Sequence, residues 1–242
     1  MSQQSTKANQ VLRVYILVFS IAFAVFFLGP PFLGYSFGPH ILMKVADVFD
    51  LFTPLVLIPL YWLLFRLNGH KPASVKENLA FMVLAAFFVL GQAMHLTANS
   101  IGHLTDNLKG TDVYTLINFY DEVMGHYLWH FGAFGLSALL IYHQWRNPLA
   151  AGKVITWNML LSGIIYGFTY FALVIEGATT PMGVPFALLV AIFGLIWGRR
   201  KLEQKPVLFL FLVGALTALA LFLIWGIWQH GLPEFSKAGF IK

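Results

Sequence analysis

Residues 206–228 read PVLFLFLVGALTALALFLIWGIW, a run of 23 residues without one charged side chain. A helix of about 20 apolar residues crosses the hydrocarbon core of a bilayer. Further runs of this kind lie near residues 11–29, 46–66, 79–103, 120–145, 154–175 and 182–198. Since lipid-exposed backbone must satisfy its own hydrogen bonds, each run is predicted to be a helix. The sequence thus predicts an all-α polytopic membrane protein, a seven-transmembrane helix bundle that forms one domain over residues 1–242.

The composition favours the same class of protein. The chain is 59% hydrophobic and only 10% charged, whereas a soluble domain carries about 25% charged residues. There are no cysteines, which excludes thiolate zinc sites, iron–sulfur clusters and covalently attached c-type haem.

Lysine and arginine are distributed unevenly between the two sides that seven spans define. Eleven of the 15 lie on the side of the N-terminus, and the four on the other side are Lys44, Lys109, Lys237 and Lys242. The positive-inside rule then predicts a cytoplasmic N-terminus and an outside C-terminus, in the cell or plasma membrane. The same rule accounts for the net charge of +5, so no nucleic-acid partner is predicted.

Polar residues mark the end of the third predicted span and the start of the fourth. His95, Asn99 and His103 are spaced by four, which places them on one face of a helix over roughly 12 Å. Residues of the fourth span repeat this spacing and are Glu122, His126 and His130. Because consecutive spans are antiparallel, both polar faces are expected at the outer ends of neighbouring helices. The small residues Gly125, Gly132 and Gly135 of the fourth span favour close helix packing.

Imidazoles and carboxylates on two facing helices are typical of a divalent metal site. The predicted metal ligands are His95, Asn99, His103, Glu122, His126 and His130. Zinc is the first choice of metal, with iron or copper as alternatives. Asp121 and Glu176 are the predicted catalytic residues, which would move protons near the ion, although Glu176 could instead be a ligand or a helix-end hydrogen-bond partner. Asp47 and Asp50 are predicted to be solvated residues of a helix start.

The pattern resembles a known family of membrane enzymes. A polar residue four positions before a histidine (Asn99 and His103), a nearby aspartate and a His-x3-His pair (His126 and His130) are similar to motifs of the alkaline ceramidase and adiponectin-receptor group. The resemblance implies seven helices and a zinc-dependent amide hydrolase that acts on a lipid inside the bundle. In that group a serine stands where this chain has Asn99, and the histidine pair lies on the last helix.

The function that these residues favour is that of a metal-dependent membrane enzyme acting on a lipid or another apolar substrate. Hydrolysis is slightly favoured over oxidation, because zinc needs the fewest ligands. Three alternatives stay open: a haem-binding electron-transfer or quinone-linked subunit, an ion or proton transporter, and an assembly protein without a catalytic site. The predicted partners are the lipid bilayer, the apolar substrate, and further subunits of a homo-oligomer or larger membrane complex.

Overall fold

A computed structural model describes residues 3–38, 40–149 and 155–240. Lys153 and Lys242, two of the charges used to predict sidedness, lie outside these residues. The helices are α1 (Gln3–Leu28), α2 (Val45–Leu67), α3 (Val75–Gly102), α4 (Asp112–Asn118), α5 (His126–Arg146), α6 (Trp157–Glu176), α7 (Thr180–Phe193) and α8 (Pro206–Trp228). Two π-helical segments, Phe119–Gly125 and Gly194–Gly198, precede α5 and follow α7. A short antiparallel hairpin, β1 (Ser36–Phe37) and β2 (His40–Lys44), leads into α2.

The helix starts follow local sequence signals. Ser74 caps α3 in a capping box with Glu77: its hydroxyl oxygen accepts a hydrogen bond from the Glu77 amide, while the Glu77 carboxylate accepts one from the Ser74 amide. Pro206 occupies the first turn of α8, where its missing N–H leaves no helix hydrogen bond unmade.

Six of the described helical segments are long and apolar enough to cross a membrane. They are Gln10–Leu28, Val45–Leu67, Val75–Gly102, Trp157–Glu176, Thr180–Gly198 and Pro206–Trp228. Much of their surface is apolar and faces outward, as in Leu55, Leu79 and Leu223, which suits a lipid environment. The protein is therefore an integral membrane protein.

The helix α5 corresponds to the fourth predicted span but does not belong to these six. Its 21 residues include His126, His130, His143 and Gln144, which lower its apolar content. All four of these side chains are buried. The polar residues of α5 thus face the interior of the bundle. The helix is less apolar than the other spans because its polar side chains contact other helices and not lipid.

The bundle is built from two closely packed helix pairs. The first pair is α3 with α5 and the second is α6 with α8, while α1 packs against both α2 and α6. Glycines permit the close approach within the first pair: a Cβ added to Gly91 would lie 2.2 Å from the Trp129 amide nitrogen, and one added to Gly132 would lie 2.4 Å from that of Phe88. The predicted role of Gly132 in close helix packing is confirmed.

Gln144 holds three helices together at the end of the bundle where α5 finishes. Its side-chain oxygen accepts hydrogen bonds from the amides of Val207 and Leu208, at 2.7 and 2.9 Å, in the first turn of α8. Its nitrogen donates to the Asn68 carbonyl, which follows α2. The side chain therefore satisfies two of the N–H groups that every helix start leaves without a partner.

We expect the substitution Gln144→Leu to lower the midpoint of thermal unfolding by roughly 4–8 °C, because it orphans buried N–H groups at a cost of about 2 kcal/mol. The midpoint is measured on the detergent-solubilised protein. Gln10→Leu, at an exposed position of α1, is the control and should leave it unchanged. Equal midpoints for the two variants would contradict the role assigned to Gln144.

Candidate metal centre

Three side chains from three neighbouring helical segments meet at one end of the bundle: His95 of α3, Asp121 of the π-helical segment and His126 of α5. Each offers one ligand atom, and these atoms lie within 4.8 Å of one another. Nδ1 of His95 is 2.6 Å from Oδ1 of Asp121, and the rings of His95 and His126 are 4.6 Å apart between centroids. We call these three residues the His–Asp–His cluster. Its donor set is one that divalent transition metals prefer.

The π-helical segment explains why Asp121 belongs to the cluster and Glu122 lies at its edge. In an α-helix residues four apart share a face, which would pair Glu122 with His126. A π-helix closes its turn with i→i+5 hydrogen bonds, so Asp121 and His126, five residues apart, come to one side. The Glu122 side chain stays 54% exposed, with Oε2 3.7 Å from Nδ1 of His126. The spacing of residues in the sequence could not reveal that Asp121 replaces Glu122 in the cluster, because the prediction assumed an α-helix.

Gly125 allows the two segments to approach closely enough for the cluster to form. A Cβ added to Gly125 would lie 2.9 Å from the amide nitrogen of His95. The backbone that carries Asp121 and His126 therefore rests directly on the backbone of α3 beside His95. This confirms the predicted role of Gly125 in close packing.

His130 lies one turn along α5 from His126, and the two rings are nearly parallel with centroids 6.0 Å apart. Nδ1 of His130 is 2.5 Å from the Thr179 hydroxyl oxygen, at the start of α7. Its Nε2 is buried and has no hydrogen-bond partner among the residues that the structure describes. His130 thus extends the His–Asp–His cluster inward and connects it to the turn between α6 and α7.

Trp129 is a component of the site that sequence reasoning missed. Its ring lies 5.7 Å from that of His95, 5.9 Å from that of His126 and 4.9 Å from that of His130, between centroids. The indole therefore forms an apolar wall shared by three imidazoles, which restricts water around them. The sequence indicated its place in the site only through its position next to His130, and a tryptophan beside a histidine is equally typical of a helix interface.

The two acidic residues at the start of α2 are buried, and the prediction that they are solvated was wrong. Asp47 and Asp50 were predicted to be solvated, but only 1% and 7% of their surfaces are exposed. Asp47 accepts a hydrogen bond from the Lys44 amide and caps α2. Asp50 lies within electrostatic range of His95 and Asp121. The reason for the burial is that α2 packs against α3, and the contact of Lys44 with His103 brings the start of α2 to the end of α3.

The remaining predicted residues lie outside the His–Asp–His cluster. His103 follows the end of α3, and its Nε2 is 2.8 Å from the Lys44 ammonium group. Asn99 is half buried on α3, one turn beyond His95. Glu176, predicted as catalytic, accepts hydrogen bonds from the amides of Phe235 and Ser236. For Glu176 the geometry favours the alternative of a helix-end hydrogen-bond partner.

Comparison with known proteins gives two distant relatives. Ceroid-lipofuscinosis neuronal protein 6 from human is 26% identical over 201 residues, and its homolog from dog is 26% identical over 198 residues. In each case the alignment covers 73% of this chain but only 62% of the relative. The chain thus spans less than two thirds of the length of either protein. No protein-family model and no solved structure matches it significantly.

Proposed function

We propose that this protein is a metal-dependent membrane protein whose centre is the His–Asp–His cluster, and that the bound metal serves hydrolysis of a lipid or another apolar substrate. The observation that carries the proposal is the convergence of three ligand atoms within 4.8 Å. In this proposal α5 completes a bundle of seven transmembrane helices, with the cluster near the non-cytoplasmic face.

The donor set fits zinc best. Two imidazoles and one carboxylate are a common protein ligand set of catalytic zinc, which keeps its fourth position for water. Contact with Asp121 also orients the His95 ring, as carboxylates do for histidines that bind metals. A metal ion suits this pair of histidines better than haem, because their rings are 4.6 Å apart between centroids, which leaves no space for a porphyrin between them.

A zinc ion in this position would make its bound water acidic enough to attack a carbonyl group near neutral pH. In this proposal Glu122 would accept the proton, since its carboxylate lies 3.7 Å from Nδ1 of His126 and is half exposed. His130 and Trp129 line the inner side and limit access of bulk water. These roles follow from where each side chain lies relative to the three proposed ligands.

An apolar groove next to the cluster supports an apolar substrate. It has a volume of about 430 Å³ and runs along α3 past Met94, Ala98 and Ile101 to Tyr120. Met94 and Tyr120 directly precede the proposed ligands His95 and Asp121. A volume in this range suits one apolar ligand of moderate size.

Elemental analysis of the detergent-purified protein tests the proposal. We expect about one zinc ion per chain, and zinc-dependent hydrolysis of a fluorogenic long-chain acyl ester that a chelator abolishes. His70→Ala, which changes an exposed histidine bound to the Pro148 carbonyl at the other end of the bundle, is the matched control and should retain the metal. Protein that takes up no stoichiometric zinc, iron or copper would refute the metal centre. Bound metal without hydrolysis would refute the proposed reaction alone.

A further inference from the structure

The segment that follows α8, residues 231–240, folds back over the ends of α6 and α8. The Trp225 indole donates a hydrogen bond to the Pro233 carbonyl, at 3.0 Å. The ring of Phe235 packs against those of Trp225 and Phe171, with centroids 4.9 and 5.7 Å apart, and Phe240 packs against Trp225 at 5.3 Å. We call residues 231–240 the return segment. Aromatic rings hold it against the two helices.

Glu176, the last residue of α6, binds the backbone of this return segment through its carboxylate. Oε2 of Glu176 accepts hydrogen bonds from the Phe235 and Ser236 amides, at 2.8 and 3.3 Å. Hydrogen bonds to a charged acceptor are stronger than those between neutral groups. One carboxylate therefore holds two successive amides of the return segment against the end of α6.

The fastening point borders the His–Asp–His cluster on the inner side. Gly177, the next residue after Glu176, lies so close to His130 that an added Cβ would be 2.8 Å from Cε1 of the ring. Two residues further on, Thr179 contacts the same ring. The end of α6 that carries Glu176 is therefore packed next to His130, whose ring lies beside that of His126.

Charged groups of the return segment lie within electrostatic range of Glu122, at the edge of the cluster. Lys237 donates a hydrogen bond to the Glu234 carboxylate, which raises the pKa of Lys237, and the carboxylates of Glu122 and Glu176 add to the effect. Lys237 therefore lies within electrostatic range of both Glu176, which binds the segment, and Glu122, at the edge of the cluster. The return segment is thus near the end of α6 and near the edge of the cluster.

We infer that Glu176 is a positioning residue that holds the return segment across the mouth of the candidate metal centre, so that the segment limits the exchange of ions and polar molecules with the aqueous side. This inference rests on the proposed function. It assigns Glu176 a role in access to the centre, in place of the role in proton transfer that the sequence predicted. The substrate would then enter from the lipid side, along the groove past Met94 and Ala98.

Two measurements on Glu176→Ala test the inference. In zinc-loaded protein, we expect removal of zinc by the water-soluble chelator EDTA to be about tenfold faster than in the wild type, because two hydrogen bonds to a charged group are lost. The zinc content before chelation should be unchanged. Hydrogen exchange at the Phe235 and Ser236 amides should accelerate in the same variant. Glu203→Ala, at an exposed position, is the control and should change neither rate.

A second and a third variant separate positioning from general destabilisation. Glu176→Gln keeps a side-chain oxygen that can accept from the Phe235 amide and should restore most of the slow zinc loss. Phe235→Ala leaves α6 intact, removes the ring contacts with Phe171 and Trp225, and should reproduce the faster loss if Glu176→Ala fails to fold.

The possible outcomes are distinct. Faster hydrogen exchange with an unchanged rate of zinc removal overturns the inference while the metal centre stands, and so do unchanged rates in both measurements. A wild-type protein that binds no zinc, iron or copper ends both proposals.

Discussion

His126→Ala should lower the bound metal from about one ion per chain to nearly none. The substitution removes one of three ligand atoms that lie within 4.8 Å of one another, and it also removes the ring that lies between those of His95 and His130. A divalent ion with only two protein ligands exchanges readily with buffer. The measurement is elemental analysis after dialysis against metal-free buffer, with secondary structure checked by circular dichroism.

Two further substitutions make this result specific. Asp121→Asn preserves the shape of the side chain but not its charge, and should weaken zinc affinity by about 10- to 100-fold if Asp121 orients His95, and more if it binds the ion. His103→Ala should retain the metal, because His103 contacts Lys44 and lies outside the cluster. Loss of metal from His103→Ala together with its retention in His126→Ala would show that the ligand set assigned from the structure is wrong.

Gly91→Ala should be among the most destabilising single substitutions in the chain. Its Cβ would lie 2.2 Å from the amide nitrogen of Trp129 and 2.7 Å from the carbonyl oxygen of Gly125. Both contacts are with backbone, so no side-chain rotation relieves them and α3 has to move away from α5. Overpacking of this kind costs about 3 kcal/mol or more. We expect the midpoint of thermal unfolding to fall by roughly 6–12 °C, with loss of bound metal as His95 separates from His126.

Gly102→Ala provides a control within the same helix. The nearest side-chain atom to its added Cβ is Cγ2 of Ile117, at an ordinary 3.8 Å. Since alanine favours a helix over glycine by about 1 kcal/mol, this variant should be as stable as the wild type or slightly more so. If Gly91→Ala unfolds at the same temperature as Gly102→Ala, the close contact of α3 with α5 at this position is refuted.

Much of the architecture was predictable because it depends on properties of single segments. The uncharged run at residues 206–228 forms α8, and the low share of charged residues is consistent with helices that expose leucines to lipid. For α5 the same reasoning was less successful, since the buried His143 and Gln144 reduce its apolar content. Hydropathy measures what a segment contains, and it does not distinguish a polar residue that faces lipid from one that faces the bundle.

The candidate site was predictable in part. Histidines in the polar stretches of the third and fourth predicted spans do converge, with His95 and His126 in ring contact. The partner of His95 is Asp121, and Glu122 remains half exposed. This difference arises from one turn of π-helix, which shifts the spacing of residues on a face from four to five. Periodicity assumes a regular helix and therefore cannot anticipate such a turn.

The sequence by itself determined that this chain lies in a membrane as a set of apolar helices, because the transfer of apolar side chains into lipid depends on each segment alone. Only the tertiary structure decided which polar groups share a site. His103 contacts Lys44, and Glu176 binds the return segment. Each of these contacts joins residues more than 40 positions apart in the chain, so it depends on how helices pack, which no local pattern encodes.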